Sequence, residues 1–131
     1  MSQTPSTGPA SPVIIEPRPA DLGHGLTVRR ILPHAVARSV GPYVFLDHAG
    51  PVVVDRASAR QTDVRPHPHI GLATVSYLLS GAITHRDSLG NEGRTEAGDV
   101  QVMSAGTGVA HSEFNLEDEE TRLFQIWIIP D

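Results

Sequence analysis

Arg65-Pro66-His67-Pro68-His69 and Val109-Ala110-His111-Ser112-Glu113 each set two metal-capable side chains two positions apart. Successive side chains of an extended strand point to opposite faces, so His67 and His69 share one face, as do His111 and Glu113. Pro66 and Pro68 have no N–H to give to a ladder, which places the first string at a sheet edge or a strand entry and stiffens the backbone that aims its rings. Gly106-Thr107-Gly108 gives the second string a sharp approach, after which His111, Glu113 and Asn115 alternate with Ser112 and Phe114. Brought together inside a small β-barrel, the two strings predict a mononuclear metal site of His67, His69, His111 and Glu113, with positions left for water, substrate or oxygen.

Read as one extended run, His67 to Leu79 puts His67, His69, Gly71, Ala73, Val75, Tyr77 and Leu79 on one face. That face is the more apolar and is expected to be the interior. Imidazoles entering such a space without a partner would each cost about 1 to 3 kcal/mol in lost hydrogen bonding. Metal ligation removes that cost.

Outward from these strings the chain alternates short β-prone runs with turns: Leu26 to Leu32, Tyr43 to Leu46, Leu72 to Leu79, Ala82 to Asp87, Val100 to Met103 and Arg122 to Ile129. Ser80-Gly81, Leu89-Gly90-Asn91, Ala97-Gly98-Asp99 and Gly106-Thr107-Gly108 separate them with residues that accept positive φ. Helical periodicity and internal repeats are absent, so an all-β barrel or sandwich is expected. Residues 1–12 are rich in Pro, Ser, Thr and Gly and read as a disordered tail, leaving 13–131 as the folded domain. Glu117-Asp118-Glu119-Glu120 reads as a solvated loop before the last strand.

With 131 residues the chain is long enough for one domain and a real core. Ten Lys and Arg against fifteen Asp and Glu give a net charge of −5 without a basic cluster, which argues against direct nucleic-acid binding. No cysteine is present, so thiolate sites and disulfides are excluded and imidazole and carboxylate are the strong ligands left. The first residues lack the cationic start and apolar stretch of a signal peptide, and no segment has the length of a membrane span. A cytoplasmic, soluble protein is the default expectation.

His67-Pro68-His69, Thr74-Val75-Ser76-Tyr77-Leu78-Leu79-Ser80-Gly81, His85-Arg86-Asp87-Ser88-Leu89-Gly90, Gly98-Asp99-Val100-Gln101-Val102-Met103-Ser104-Ala105-Gly106-Thr107-Gly108 and His111-Ser112-Glu113 follow in that order. With Phe45-Leu46-Asp47-His48 and Gly50-Pro51 upstream, they resemble the amino-terminal cupin domain of the pirin family from roughly Arg29 to Pro130. The resemblance implies a double-stranded β-helix, a jelly-roll barrel, holding iron(II) through His67, His69, His111 and Glu113. Mn, Ni, Co, Cu and Zn are the other metals such donors accept. Bacterial pirins resemble quercetin dioxygenases, which open the central ring of flavonols with molecular oxygen and release carbon monoxide. Eukaryotic members are associated with nuclear transcriptional coregulation. The string from Met103 to Phe114 leans toward the bacterial group.

Two departures from the family pattern matter. His69-Ile70-Gly71-Leu72-Ala73 lacks both the charged residue after the second histidine and the glutamate that usually follows, so Glu113 is expected to be the sole carboxylate ligand in unusually apolar surroundings. Family members also continue into a second cupin domain after a string like Ile126-Trp127-Ile128-Ile129-Pro130, whereas this sequence stops at Asp131. His24, His34 and His85 read as structural histidines and His48 as part of a turn. Tyr77, Asn115 and Gln125 are placed either in the cavity or in ordinary packing, and Phe124 and Trp127 read as core or interface aromatics.

The function expected on this basis is a metal-dependent dioxygenase acting on flavonol-like or related small molecules, with Glu113 both ligand and catalytic base. Its partners would be that substrate and oxygen. The alternative is a non-catalytic, metal-binding regulatory or interaction protein, and a third class is cupin isomerase or lyase chemistry. Apolar excess in Val13-Ile14-Ile15, Pro51-Val52-Val53-Val54 and Phe124 to Ile129 predicts a homodimer.

Overall fold

A computed structural model describes residues 11–22, 27–53, 64–114 and 120–131. The strands are β1 (Arg18–Asp21), β2 (Thr27–Leu32), β3 (Tyr43–Val53), β4 (Val64–His69), β5 (Ala73–Ser80), β6 (Ala82–Asp87), β7 (Glu92–Glu96), β8 (Val100–Ser104), β9 (Val109–Phe114) and β10 (Glu120–Ile128). No helix occurs among the described residues, and none is long and apolar enough to cross a membrane. The strands form a six-stranded sheet ordered β1-β2-β3-β10-β5-β8 and a four-stranded sheet ordered β4-β9-β6-β7. Every pairing is antiparallel, and the two sheets make the sandwich of a cupin fold.

The all-β expectation holds, and the expected run Ala82 to Asp87 is β6 to the residue. The expected Tyr43–Leu46 strand extends to Val53, so His48 lies inside β3, paired with Arg29 and Phe124, and not in a turn. Residues 1–10 of the expected tail, Leu26, Val54 and most of the 117–120 acidic run lie outside the described residues, while Glu120 opens β10.

The chain from His67 to Leu79 is not one strand. It leaves the four-stranded sheet after His69, turns at Gly71 with φ 69°, and enters the six-stranded sheet at Ala73. The turn resets the alternation. Thr74, Ser76 and Leu78 are the buried residues of β5, whereas Tyr77 and Leu79 are 39% and 40% exposed, opposite to the expected interior face. The period-two rule held on each side of Gly71 and failed across it, because a residue in left-handed conformation ends the strand whose faces were being counted.

A second corner runs from β8 to β9. The Gly71 N–H donates to the Gly106 carbonyl at 2.9 Å, and the Ala105 N–H donates to the Leu72 carbonyl at 2.9 Å. The two crossings thereby tie the end of β4 to the start of β9. Pro66 and Pro68 lie on β4, an edge strand of its sheet, as the missing N–H groups require.

A third corner is the single residue Gly81, with φ 72°, between β5 and β6. A Cβ there would stand 2.8 Å from Thr121 Cα and 2.9 Å from the Glu120 carbonyl oxygen, so β10 itself would have to move. Gly90 has φ 85° and open space around it. Gly90→Ala should cost about 1 kcal/mol from backbone conformation, and Gly81→Ala about 3 kcal/mol or more. Urea unfolding of both variants checks the ranking; equal losses would mean that the Gly81 corner relaxes freely.

Candidate metal centre

Strand β9 lies between β4 and β6, and its register lines up the chemistry. His111 pairs with His67 on one side and with Asp87 on the other, and Glu113 pairs with His85. Between Val64 and His67 the β4–β9 register shifts by a bulge. A bulge re-aims the side chains beyond it, and here it brings His67 directly opposite His111.

His67, His69 and His111 converge with their donor atoms within 4.8 Å of one another. His111 Nε2 stands 2.8 Å from His67 Nε2 and 3.1 Å from His69 Nε2. His67 Nδ1 donates to its neighbour's carbonyl, Arg65 O, at 2.8 Å, so in the neutral ring Nε2 carries a bare lone pair. Ring nitrogens turned toward one point in this way repel or compete for one proton unless a cation sits between them. A soft-to-intermediate divalent ion suits imidazole donors of this kind, so the residues fit a metal.

Glu113 points to the same side of β9, and its carboxylate forms a second cluster with His85 and His111, again within 4.8 Å. Ser76 Oγ on β5 lies 3.5 Å from Glu113 Oε1 and donates to Gln125 Oε1 at 2.7 Å. Burial pushes the Glu113 carboxyl above its ordinary range, partly offset by the nearby His67 and His85 and the Ser76 contact. Of the predicted set, the histidines therefore meet at one point, with Glu113 at their flank beside His111.

His85, expected at the surface or in the core, lies in the core, and it has company there. It is 6% exposed, its Nδ1 is 3.0 Å from His111 Nδ1, and its Nε2 is 3.3 Å from Asp87 Oδ2. The signal was available: His85-Arg86-Asp87 is a third period-two pair of polar residues on an inward face. His48 instead packs on Phe124 and contacts Arg29, away from the cavity. His34 accepts the Val36 N–H, and His24 and Asn115 lie outside the described residues. Gln125 lines the cavity, whereas Tyr77 faces outward.

The cavity in front of the histidines has a volume of about 500 Å³, within the roughly 300–1,000 Å³ of small-molecule sites. Its walls are mainly apolar, from Val28, Phe45, Ile83, Leu123 and Trp127. Trp127 stacks on Phe45 at 4.1 Å between centroids and meets His69 edge-on at 5.1 Å, so this aromatic belongs to the cavity wall. Arg30 and Asp47 form a two-point ion pair in the same wall, both bonds 2.8 Å, with the guanidinium over Phe45. Asp47 belongs to the Phe45-Leu46-Asp47-His48 string, but no sequence signal joins it to Arg30.

A family model, Pirin, matches residues 25–128. A Pseudomonas aeruginosa protein whose name assigns it provisionally to quercetin 2,3-dioxygenase is 49% identical over 128 residues, covering 90% of this chain and 52% of that protein. A solved quercetin 2,3-dioxygenase from Acinetobacter baumannii superposes with a TM-score of 0.81 at 39% identity, over 88% of this chain and 39% of the other. The bacterial pirin YhhW from Escherichia coli, solved in complex with nickel(II), superposes with a TM-score of 0.73 at 30% identity, over 88% of this chain and 49% of that one. The chain thus spans about half, or less, of these relatives.

Burial, followed by the neighbouring His67, His69 and His85, lowers the His111 pKa from 6.5 to about 4. The unfolded chain would bind a proton here below pH 6.5 while the folded chain stays neutral, so His111 contributes stability that is complete above pH 6.5 and is lost as pH falls toward 4. In the metal-free protein, NMR titration should find the His111 ring shifting near pH 4. A midpoint at 6.5 would mean that the ring is solvated.

Proposed function

Because this chain belongs to the pirin family, we propose that it forms a metal-dependent cupin that oxidises a flavonol-like small molecule with molecular oxygen. The observation that carries the reading is the convergence of His67, His69 and His111 in the lining of a mainly apolar cavity of small-molecule size. The names of the Pseudomonas and Acinetobacter proteins support the reaction class, and the nickel(II) complex of YhhW supports a divalent metal. We assign the metal as iron(II), held by His67, His69, His111 and Glu113.

When bound, the metal supplies Lewis acidity at the substrate's hydroxy-ketone oxygens and access to redox chemistry. The chain supplies the rest. The stacked Phe45 and Trp127 and the aliphatic wall flank a planar, largely apolar ligand and exclude water. Glu113, enclosed and made more basic by its burial, takes the substrate hydroxyl proton onto a carboxylate oxygen, and Ser76 and Gln125 border it. Arg30 and Asp47 satisfy each other, so that part of the wall presents a neutral pair and not a net charge.

The purified chain should bind one divalent metal, and His69→Ala or His111→Ala should leave the site partly filled while His34→Ala leaves metal content unchanged. Metal analysis decides this, and full occupancy in both ligand variants removes the assignment. With metal saturating, Glu113→Gln should lower flavonol turnover by on the order of 100-fold or more with little change in KM. If fully loaded wild-type protein leaves flavonols intact under oxygen, the non-catalytic interaction reading takes its place.

We also assign the protein as a two-fold homodimer. Tyr77 pairs with Val100 and Val75 with Val102, and the outward side of β5 and β8 leaves Tyr77, Leu79, Val100 and Val102 exposed beside a sheet edge. Closed pairing of two copies is the commonest way to cover such a face. Light scattering should give twice the 14.0 kDa of one chain; a mass of 14.0 kDa at micromolar concentration rules the dimer out.

A further inference from the structure

His111 has two ring nitrogens and two different neighbourhoods. Nε2 faces His67 and His69, while Nδ1 faces His85 Nδ1 at 3.0 Å in a buried contact. His85 Nε2 in turn faces Asp87 Oδ2 at 3.3 Å, and both side chains of that pair are under a tenth exposed. Asp87 is itself held by a local turn. Its Oδ1 accepts the N–H groups of Leu89 at 2.9 Å and Asn91 at 3.0 Å, and its Oδ2 accepts the Asn91 side-chain amide at 3.0 Å.

With both imidazoles neutral, donor and acceptor counting sets the direction of this series. An ionised carboxylate only accepts, so His85 Nε2 carries the hydrogen that it gives to Asp87. A neutral imidazole has one N–H, so His85 Nδ1 is then an acceptor. His111 Nδ1 must therefore donate to it, which leaves His111 Nε2 without hydrogen and turned toward His67 and His69. We propose that Asp87 and His85 are positioning residues for the metal centre: they hold His111 in the Nδ1–H tautomer and so present its Nε2 lone pair to the ion. The assignment rests on the metal reading above, but the tautomer is a property of the chain alone. It also gives His85 a role that keeps it out of the ligand set, although its donor atoms lie within 4.8 Å of those of Glu113 and His111. The register is what makes the relay, since Asp87 is the β6 partner of His111 and His85 that of Glu113.

Asp87→Asn tests the direction of the relay. The amide oxygen can keep the bonds from the Leu89 and Asn91 N–H groups, while the new NH2 faces His85 and the Asn91 side chain turns over to accept. Every later bond then reverses: His85 Nε2 accepts, Nδ1 donates, His111 Nδ1 accepts, and a hydrogen occupies His111 Nε2. Ring-15N NMR of the metal-free protein at pH 8, above the ordinary imidazole range, should show His111 as Nδ1–H in the wild type and as Nε2–H in Asp87→Asn. Cobalt(II) affinity, measured by competition with a chelator, should fall by about 10- to 100-fold in Asp87→Asn, and His85→Phe should weaken binding without abolishing it.

The wild-type spectrum needs no variant to fold. An Nε2–H His111 in the metal-free wild type, or unchanged cobalt affinity in a folded Asp87→Asn chain, overturns the relay and leaves the metal reading intact. Cobalt-induced shifts on the His85 ring, with binding lost in His85→Phe as completely as in His111→Ala, overturn the positioning role by making His85 a ligand. A wild-type chain that binds no cobalt(II) overturns the metal reading and the relay's purpose with it, even where His111 is Nδ1–H.

Discussion

The arrangement depends on the register of β9 between β4 and β6. Antiparallel pairing fixes which side chains stand side by side to within one residue, and a slip by one would turn each of them to the opposite face. With His111 opposite both His67 and Asp87, one row across three strands carries a donor, a second donor and the far end of a hydrogen-bond relay. Two features hold that register. One is the bulge between Val64 and His67; the other is the pair of bonds joining the Gly71 and Gly106 corners, which stop β4 from sliding along β9. The three converging histidines therefore inherit their geometry from backbone hydrogen bonds and not from their own packing.

That geometry has an energetic consequence for the interior. Among the described residues, the buried polar set, with Asp47, His69, Thr74, Ser76, Thr84, His85, Thr95, His111 and Thr121, is as extensive as the buried apolar one. A space between two sheets filled in this way is a lined cavity and not a solid hydrocarbon core. Its stability rests on each polar group finding its partner, because an orphaned buried donor or acceptor costs about 1–3 kcal/mol. The Arg30–Asp47 pair and the Asp87–His85–His111 series solve that problem internally. The three facing Nε2 atoms do not, and they are where a ligand that binds only the folded chain adds most; at a hundred times its Kd such a ligand contributes about 2.7 kcal/mol.

How much was legible in the sequence follows from the range of the signals. Period-two alternation is local, so it placed His67 with His69 and His111 with Glu113, and proline at 66 and 68 marked the edge strand. It failed wherever the chain changed sheets: Gly71 separated β4 from β5 and reversed the inward face, putting Ser76 inside and Tyr77 outside. Long-range partners were illegible for a different reason. That Arg30 would meet Asp47, or that Glu113 would group with His85 as well as with His111, follows from pairing registers that no single segment encodes. His85-Arg86-Asp87 is the exception, a local period-two signal for the contact that His85 makes with Asp87.

Asp87 shows why such a signal carries physical weight. A carboxylate that only orients a distant ring must itself be immobile, or the ring follows its motion. Here the 87–91 turn supplies that immobility: two backbone N–H groups and one amide fix both oxygens, and together with His85 they hold the carboxyl down to about pKa 2. The group stays ionised, and hence acceptor-only, across the whole range in which imidazole is neutral. Local turn chemistry at one end of β6 thus becomes a hydrogen-bond direction inside the sandwich, carried by side chains that strand pairing sets side by side.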